Sequence, residues 1–360
     1  MSEAQPAIQL HLSAEAERYV RRDAPVEARR MAAGGALPLP PVELATVLFA
    51  LLHDPDEQVK TRARASLETL PDDVCSTVLG GDTHPAVLAW LAHAFQGDEK
   101  HAVQLALNPA TDDRTFAFLA GLPHRRVVEI VAGNQQRMLR HPEIVDALGD
   151  NPLTGRATIE RVLSFMGLER PDAEEADPDA DVGSSEITDE TAAATLRALL
   201  GDDASEFASA LVQESDEELG ADAEGNLYAL VQGMNVMQKV KLARLGNKEA
   251  RGLLIRDRNK IVAAAAIRSP KITENEVEGY AKARNVSDEV LRIIAANREW
   301  TRGYGVKLAL STNPKVPIPS AMKFLNFLQD KDLKTIMKSK DVATPISTHA
   351  RRLLQKKGKI

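Results

Sequence analysis

Eight histidines, one cysteine and one glycine pair are the residues whose types and spacing invite chemistry in this 360-residue chain. A metal held on one helix face needs ligands about one turn apart. His84, His93 and His101 are instead spaced by nine and eight residues, and His141 stands alone before a proline. Surface or helix-capping roles are expected for them, and no metal. Cys75 is the only cysteine, which excludes an intramolecular disulfide and fits a reducing compartment. In "RGYGVK" (302–307), Gly303 and Gly305 stand without the third glycine or the Lys-Ser/Thr pair of a phosphate loop, so a tight turn between helices is expected. No spacing suggests a Ser-His-Asp or Cys-His nucleophile. The chain therefore reads as a non-enzyme with no catalytic residue and no cofactor.

A basic block near the C-terminus carries more promise. "NREWTRGYGVK" (297–307) mixes Arg298, Arg302 and Lys307 with Trp300 and Tyr304, a combination able to hold phosphates and stack on bases. The competing reading packs both aromatics between helices and leaves the arginines solvated. Lys323, Lys334 and Lys338 follow, and "RRLLQKKGK" adds Arg351 and Arg352. These ten residues are the candidate partner-binding set, although charges at helix C-termini also complement the helix dipole.

The net charge of −7 conceals a division. Residues 1–233 carry 18 Lys+Arg against 41 Asp+Glu, a balance of −23, while 234–360 carry 27 against 11, a balance of +16. Either the basic part faces an anionic partner or the two parts attract each other.

The elements that must position these residues are short helices. Aromatic content is 4%, and apolar residues recur at three-and-four spacing in "PVELATVLFALL", "EQVKTRARASLETL", "PAVLAWLAHAF" and "EKHAVQLAL". Strict alternation is absent, so no sheet is expected. "ERPDAEEADPDADVGSSEITDE" (169–190), with ten acidic residues, one Arg and two Pro, cannot bury enough apolar surface to offset its ordering entropy and reads as a disordered linker. The expected organisation is a helical-repeat domain over 1–168, that linker, a short acidic helical segment over 191–226 ending in the loop "ESDEELGADAEG", and a basic helical-repeat domain over 227–360. The longest apolar runs are too short to span a bilayer, and the N-terminus lacks a basic segment leading into an apolar run, so a cytoplasmic protein is expected.

The two halves share a phrase. "VVEIVAGN" (127–134) matches "VLRIIAAN" (290–297), "ALGDNP" (147–152) matches "ALSTNP" (309–314), and "NPATDDRTFAFLAG" from Asn108 has a looser counterpart in "SPKITENEVEGYAK" from Ser269, all at an offset of 161–163. Ordered markers at a common offset indicate duplication. Asn108–Pro109, Asn151–Pro152, Ser269–Pro270 and Asn313–Pro314 are expected to start helices, the polar side chain capping and Pro taking the first position. "TENE" (273–276) is a candidate capping box and Ser287 a further cap.

A repeat of 43 to 44 residues built from short helices resembles the armadillo/HEAT-like superfamily, and the "LALNP" and "LALSTNP" phrases are similar to those of bacterial leucine-rich-repeat-variant proteins. The resemblance implies an all-α, right-handed α-α superhelix in two related halves. The N-terminal iron–sulfur cluster of some such proteins needs several cysteines, which Cys75 alone does not supply. Solenoid grooves suit protein partners, so a protein-interaction scaffold is the expected function, with an acidic partner for the C-terminal half. The alternative, implied by architectural likeness to HEAT-like glycosylases, is nucleic-acid binding through the basic half.

Overall fold

The structure, a computed structural model, describes residues 8–21, 23–167, 192–195, 211–212 and 221–359. Every regular element among these residues is helical, with no strand. The expected disordered linker and most of the segment 191–220 lie outside the described residues. Packing divides the chain into two units, 1–154 and 155–360.

In the first unit the helices are α1 (Ala14–Val20), α2 (Val26–Ala33), α3 (Pro41–Leu51), α4 (Glu57–Glu68), α5 (Asp72–Gly80), α6 (Pro85–Ala94), α7 (Glu99–Leu107), α8 (Asp113–Gly121), α9 (Arg125–Ala132), α10 (Gln135–Arg140) and α11 (Glu143–Asp150). Several pack heavily on a next-but-one neighbour, and α11 packs on α8. α1, α3, α5, α7 and α9 form one row; α2, α4, α6, α8 and α11 form the other. None of these helices is long enough to be stable alone, so each depends on the apolar face offered by the next. The carboxylates of Asp56, Asp98 and Asp112 start α4, α7 and α8 by accepting from first-turn N–H groups.

The second unit holds α12 (Arg156–Phe165), α13 (Ala221–Gly233), α14 (Val236–Leu245), α15 (Lys248–Leu254), α16 (Lys260–Ile267), α17 (Glu274–Lys282), α18 (Asp288–Ala296), a 3-10 turn (Trp300–Arg302), α19 (Tyr304–Thr312), α20 (Ile318–Leu325), α21 (Asp330–Lys338) and α22 (Thr344–Lys356). α16 is apolar all round, buries Ile261 to Ile267 without a break, and packs against α12, α14 and α18. Glu160 on α12 pairs with the buried Arg268 just after α16 (2.5 Å), which places residues 155–167 with this unit. α13 begins inside the stretch read from sequence as an acidic loop.

The capping box Thr273–Glu276 forms as expected, and Ser287 caps α18. The Asn-Pro expectation is corrected. Asn108, Asn151 and Asn313 close α7, α11 and α19, and the next helices start five residues later, at Asp113, Arg156 and Ile318. Pro109, Pro152 and Pro314 lie in the turns between, where a residue without an N–H stops the preceding helix. Ser269–Pro270 behaves likewise, since α17 starts at Glu274.

The asparagine side chains join successive layers. Asn108 Nδ2 donates to Leu79 O (2.7 Å) and Gly81 O (2.9 Å) at the end of α5, two helices back. Asn151 donates likewise to Ala120 O and Leu122 O (2.7 and 2.8 Å) at the end of α8, three helices back, and Asn313 to Ala281 O and Ala283 O (both 2.9 Å) at the end of α17. Each Oδ1 accepts from the N–H two residues on, at Ala110, Leu153 and Lys315. The last carbonyls of a helix have no partner within it, and here one buried amide serves two of them.

Ser269 takes the same turn, its carbonyl accepting from Ile272 as those of Asn108, Asn151 and Asn313 accept from Thr111, Thr154 and Val316. Its hydroxyl is too short for both carbonyls and only approaches Arg244 O (3.5 Å). The second carbonyl, Gly246 O, accepts instead from Arg251 Nη1 (2.9 Å).

Candidate functional site

Charged side chains in the interior are tied into structural pairs. Arg251, with 0% of its surface exposed, donates from Nε and Nη2 to the two oxygens of Glu276 (3.0 and 2.9 Å). Burial pushes the Glu276 carboxyl up, but hydrogen bonds from Arg251 and from the Thr273 N–H, with the Arg251 charge, outweigh it and hold the group below its ordinary value. Tyr280, whose hydroxyl reaches Glu276 (3.4 Å), is shifted upward by burial and by that carboxylate. In the first unit Arg29 grips Asp54, Nη1 lying 2.6 Å from both oxygens.

The reactive residue types are similarly occupied. Cys75 is buried, and desolvation with the charges of Asp72 and Asp98 pushes its thiol up to about 11, so it stays protonated at neutral pH. His84 caps α6 through Nδ1, and His141 lies 3.3 Å from Glu143. His101 departs from the expected surface or capping role: it is buried, its ring 4.9 Å from that of Phe95 and Nδ1 3.2 Å from Asp98. Its apolar neighbours Ala102, Leu105 and Ala106 belong to the same buried face of α7, which carries the imidazole inward. Among the described residues no His, Cys, Asp and Glu group could hold a metal ion, and no helix is long and apolar enough to cross a membrane.

The "RGYGVK" stretch runs from the last residue of the 3-10 turn, Arg302, through Gly303 into the first turn of α19, a tight connection between helical elements. The free N–H groups at a helix start attract an anion. The Glu278 carboxylate lies beside Gly305 in the first turn of α19, where a Cβ would stand. Lys282 pairs with the same carboxylate (2.5 Å). A phosphate bound there would meet that carboxylate. Beside it a shallow recess is lined by Glu274, Val277, Glu278, Trp300, Gly303 and Val306; Trp300 is half-buried there.

The candidate basic residues divide into two sets. Arg302 pairs with Glu299 (2.9 Å), and Lys307 donates to Arg302 O (3.1 Å). The Tyr304 hydroxyl donates to Asp332 and accepts from the Gln329 N–H (3.0 Å). Burial and that carboxylate raise its pKa. Arg298, Lys323, Lys334, Lys338, Arg351 and Arg352 are exposed. Lys334 and Lys338, one turn apart on α21, share a face with Lys331, and α21 packs on α22, which carries Arg351 and Arg352.

Sequence reasoning passed over Phe327, which is 64% exposed with Lys307 Nζ 5.4 Å from its ring centroid. A signal was present. Ala321, Leu325 and Leu328 follow the four-then-three spacing of a buried face, and Phe327 falls outside it. No family model matches the chain, and neither a curated protein nor a solved structure matches it.

Proposed function

We propose that this chain is a non-enzymatic interaction scaffold, an α-solenoid related to the armadillo/HEAT-like superhelices, whose second unit offers a cationic and aromatic surface to protein partners with acidic surfaces. The observation that carries the reading is the contrast within the second unit. Its fully buried Arg251 is committed to Glu276, while Lys323, Lys334, Lys338, Arg351 and Arg352 stand exposed, as does Phe327. In the second unit α14 packs on α16, α17 on α19, and α21 on α22, stacked helices of the kind that present such a surface in solenoids. The buried, protonated thiol of Cys75 supports a role without covalent chemistry and suits a reducing compartment.

Affinity capture with the full chain from nuclease-treated lysate tests this. Acidic proteins should be recovered, and should be lost when Lys323, Lys334, Lys338 and Arg351 are changed together to Glu. A second reading, nucleic-acid binding, is favoured by the lysine face of α21 alone; co-purifying nucleic acid, with partners lost on nuclease treatment, would select it. Glu278, Glu299 and Asp332 interrupt the cationic track that a phosphate backbone would need, which ranks it second.

A further inference from the structure

The recess between the start of α17 and the connection into α19 brings three kinds of surface together. Val277 and Val306, both buried, give it an apolar base, and the half-buried indole of Trp300 stands beside them. Glu274 and Glu278, one turn apart on α17, supply carboxylates, and no lysine or arginine lines it among the described residues. Arg302, which follows Trp300 in the 3-10 turn, is paired with Glu299. Lys282 reaches Glu278 from the next turn of α17, in an exposed pair of the kind that contributes little and exchanges readily. Glu274 is exposed, and its carboxylate has no ion pair or hydrogen bond among the described residues. With its open mouth the recess measures about 330 Å³, at the low end for a ligand pocket and enough for one side chain.

We infer that this recess binds the guanidinium of an arginine side chain presented by a partner protein, stacked on Trp300 and bonded to Glu274 and Glu278. The site goes beyond the scaffold reading above, which assigns acidic partners to the exposed cations of α21 and α22, because its charge preference is the reverse. Carboxylates exclude an anionic ligand here, and the aromatic wall favours a cation over a neutral group. Geometry selects guanidinium over ammonium. Residues four apart on a helix are separated by a rise of about 6 Å, a span that a planar fork of five donors bridges better than a point charge. A guanidinium is also weakly hydrated, so it gives up less on stacking against an indole. Its methylene stem would cover Val277 and Val306, and the water displaced leaves the ion pair with Glu274 less screened.

The test uses the full chain labelled with nitrogen-15 at tryptophan, whose two indole N–H signals belong to Trp90 and Trp300 and are assigned with Trp300→Phe. The probes are N-acetyl-arginine methylamide, its lysine counterpart, its neutral citrulline counterpart and free arginine. The capped arginine should shift the Trp300 signal saturably, in the millimolar range expected of a single side chain, and leave Trp90 in place. The capped lysine should bind about fivefold more weakly, and citrulline should give no shift. Glu274→Gln, an exposed position whose exchange should leave the circular dichroism spectrum unchanged, should weaken capped arginine about fivefold, and added salt should weaken it further. An equal shift with citrulline, no saturable shift with capped arginine, or unaltered affinity in Glu274→Gln would overturn the site. Lysine binding as tightly as arginine would overturn the guanidinium assignment, and free arginine binding more tightly than the capped form would overturn the partner protein as its source. The scaffold reading is untouched by these outcomes, since it stands or falls with the capture of acidic proteins by Lys323, Lys334, Lys338 and Arg351.

Discussion

Three joints between helical layers in this chain are closed by an asparagine and a fourth by a serine with an arginine, and the comparison shows what a repeat must preserve. At Asn108, Asn151 and Asn313 a neutral amide serves two terminal carbonyls of an earlier helix, two or three positions back. At Ser269 the same backbone turn is kept, but Gly246 O accepts from Arg251, a buried cation that must itself be neutralised by Glu276. The satisfied carbonyls are common to the joints, and the side chain that satisfies them is not. An amide does so without placing charge in the interior, whereas the arginine brings with it a carboxylate, a capping threonine and Tyr280.

The largest effect is expected from breaking the charged joint. Arg251→Met would leave Glu276 buried without its cation and Gly246 O without this donor, and should destabilise the second unit by about 3–5 kcal/mol. Urea denaturation measures it, and adding Glu276→Leu should recover a large part. The pH dependence distinguishes the joints as well. Glu276 is held below its ordinary value in the folded state, so its contribution is complete above that value, near 4.5, and declines as pH falls through the lowered folded value. Melting temperatures from pH 6 to pH 3 should therefore fall more steeply for the parent than for the Arg251→Met, Glu276→Leu double variant.

The neutral joint should break at somewhat lower cost. Asn151→Leu is close in size and leaves Ala120 O and Leu122 O without their amide donor, a loss of about 2–4 kcal/mol at 1–3 kcal/mol per buried unsatisfied group with partial relaxation. Asn108→Leu, with one of its two hydrogen bonds part-buried, should lose less. The difference between Asn151→Leu and the parent should not vary between pH 6 and pH 3, since no titrating group takes part in the joint. A marked pH dependence would show that charge is involved there too.

How much of this could be read from the chain follows from distance along it. The helices from Pro41 to Leu107 are written locally, in three-and-four apolar spacing and, for α4, α6 and α7, in Asp or His caps two or three residues from the N–H groups they serve. The Asn-Pro pairs were legible as repeat markers, but their task was not, because the carbonyls they serve lie 27 to 32 residues earlier. Arg251 and Glu276, 25 residues apart, look in the sequence like two more solvated charges. The candidate surface was legible as composition. Its sorting into paired Arg302 and exposed Lys323 was not, and Phe327 was hidden inside an apolar segment because the end of α20 was not resolved from its spacing.

The smallest effect is the most discriminating. Ser269→Asn places at the fourth joint the amide found at the other three, within reach of Arg244 O and Gly246 O if the shared turn positions it as elsewhere. A carbonyl oxygen has two lone pairs, so Gly246 O can accept from the introduced amide and from Arg251 together. In the parent background most of the need is already met, and the gain should be about 0.5–1 kcal/mol, an ordinary net hydrogen bond. In the Arg251→Met, Glu276→Leu background Gly246 O lacks the arginine, and the same substitution should gain about 1–2 kcal/mol more. A gain of equal size in both backgrounds would mean that the two side chains do not serve a common carbonyl, and the equivalence between the neutral and charged joints would fail.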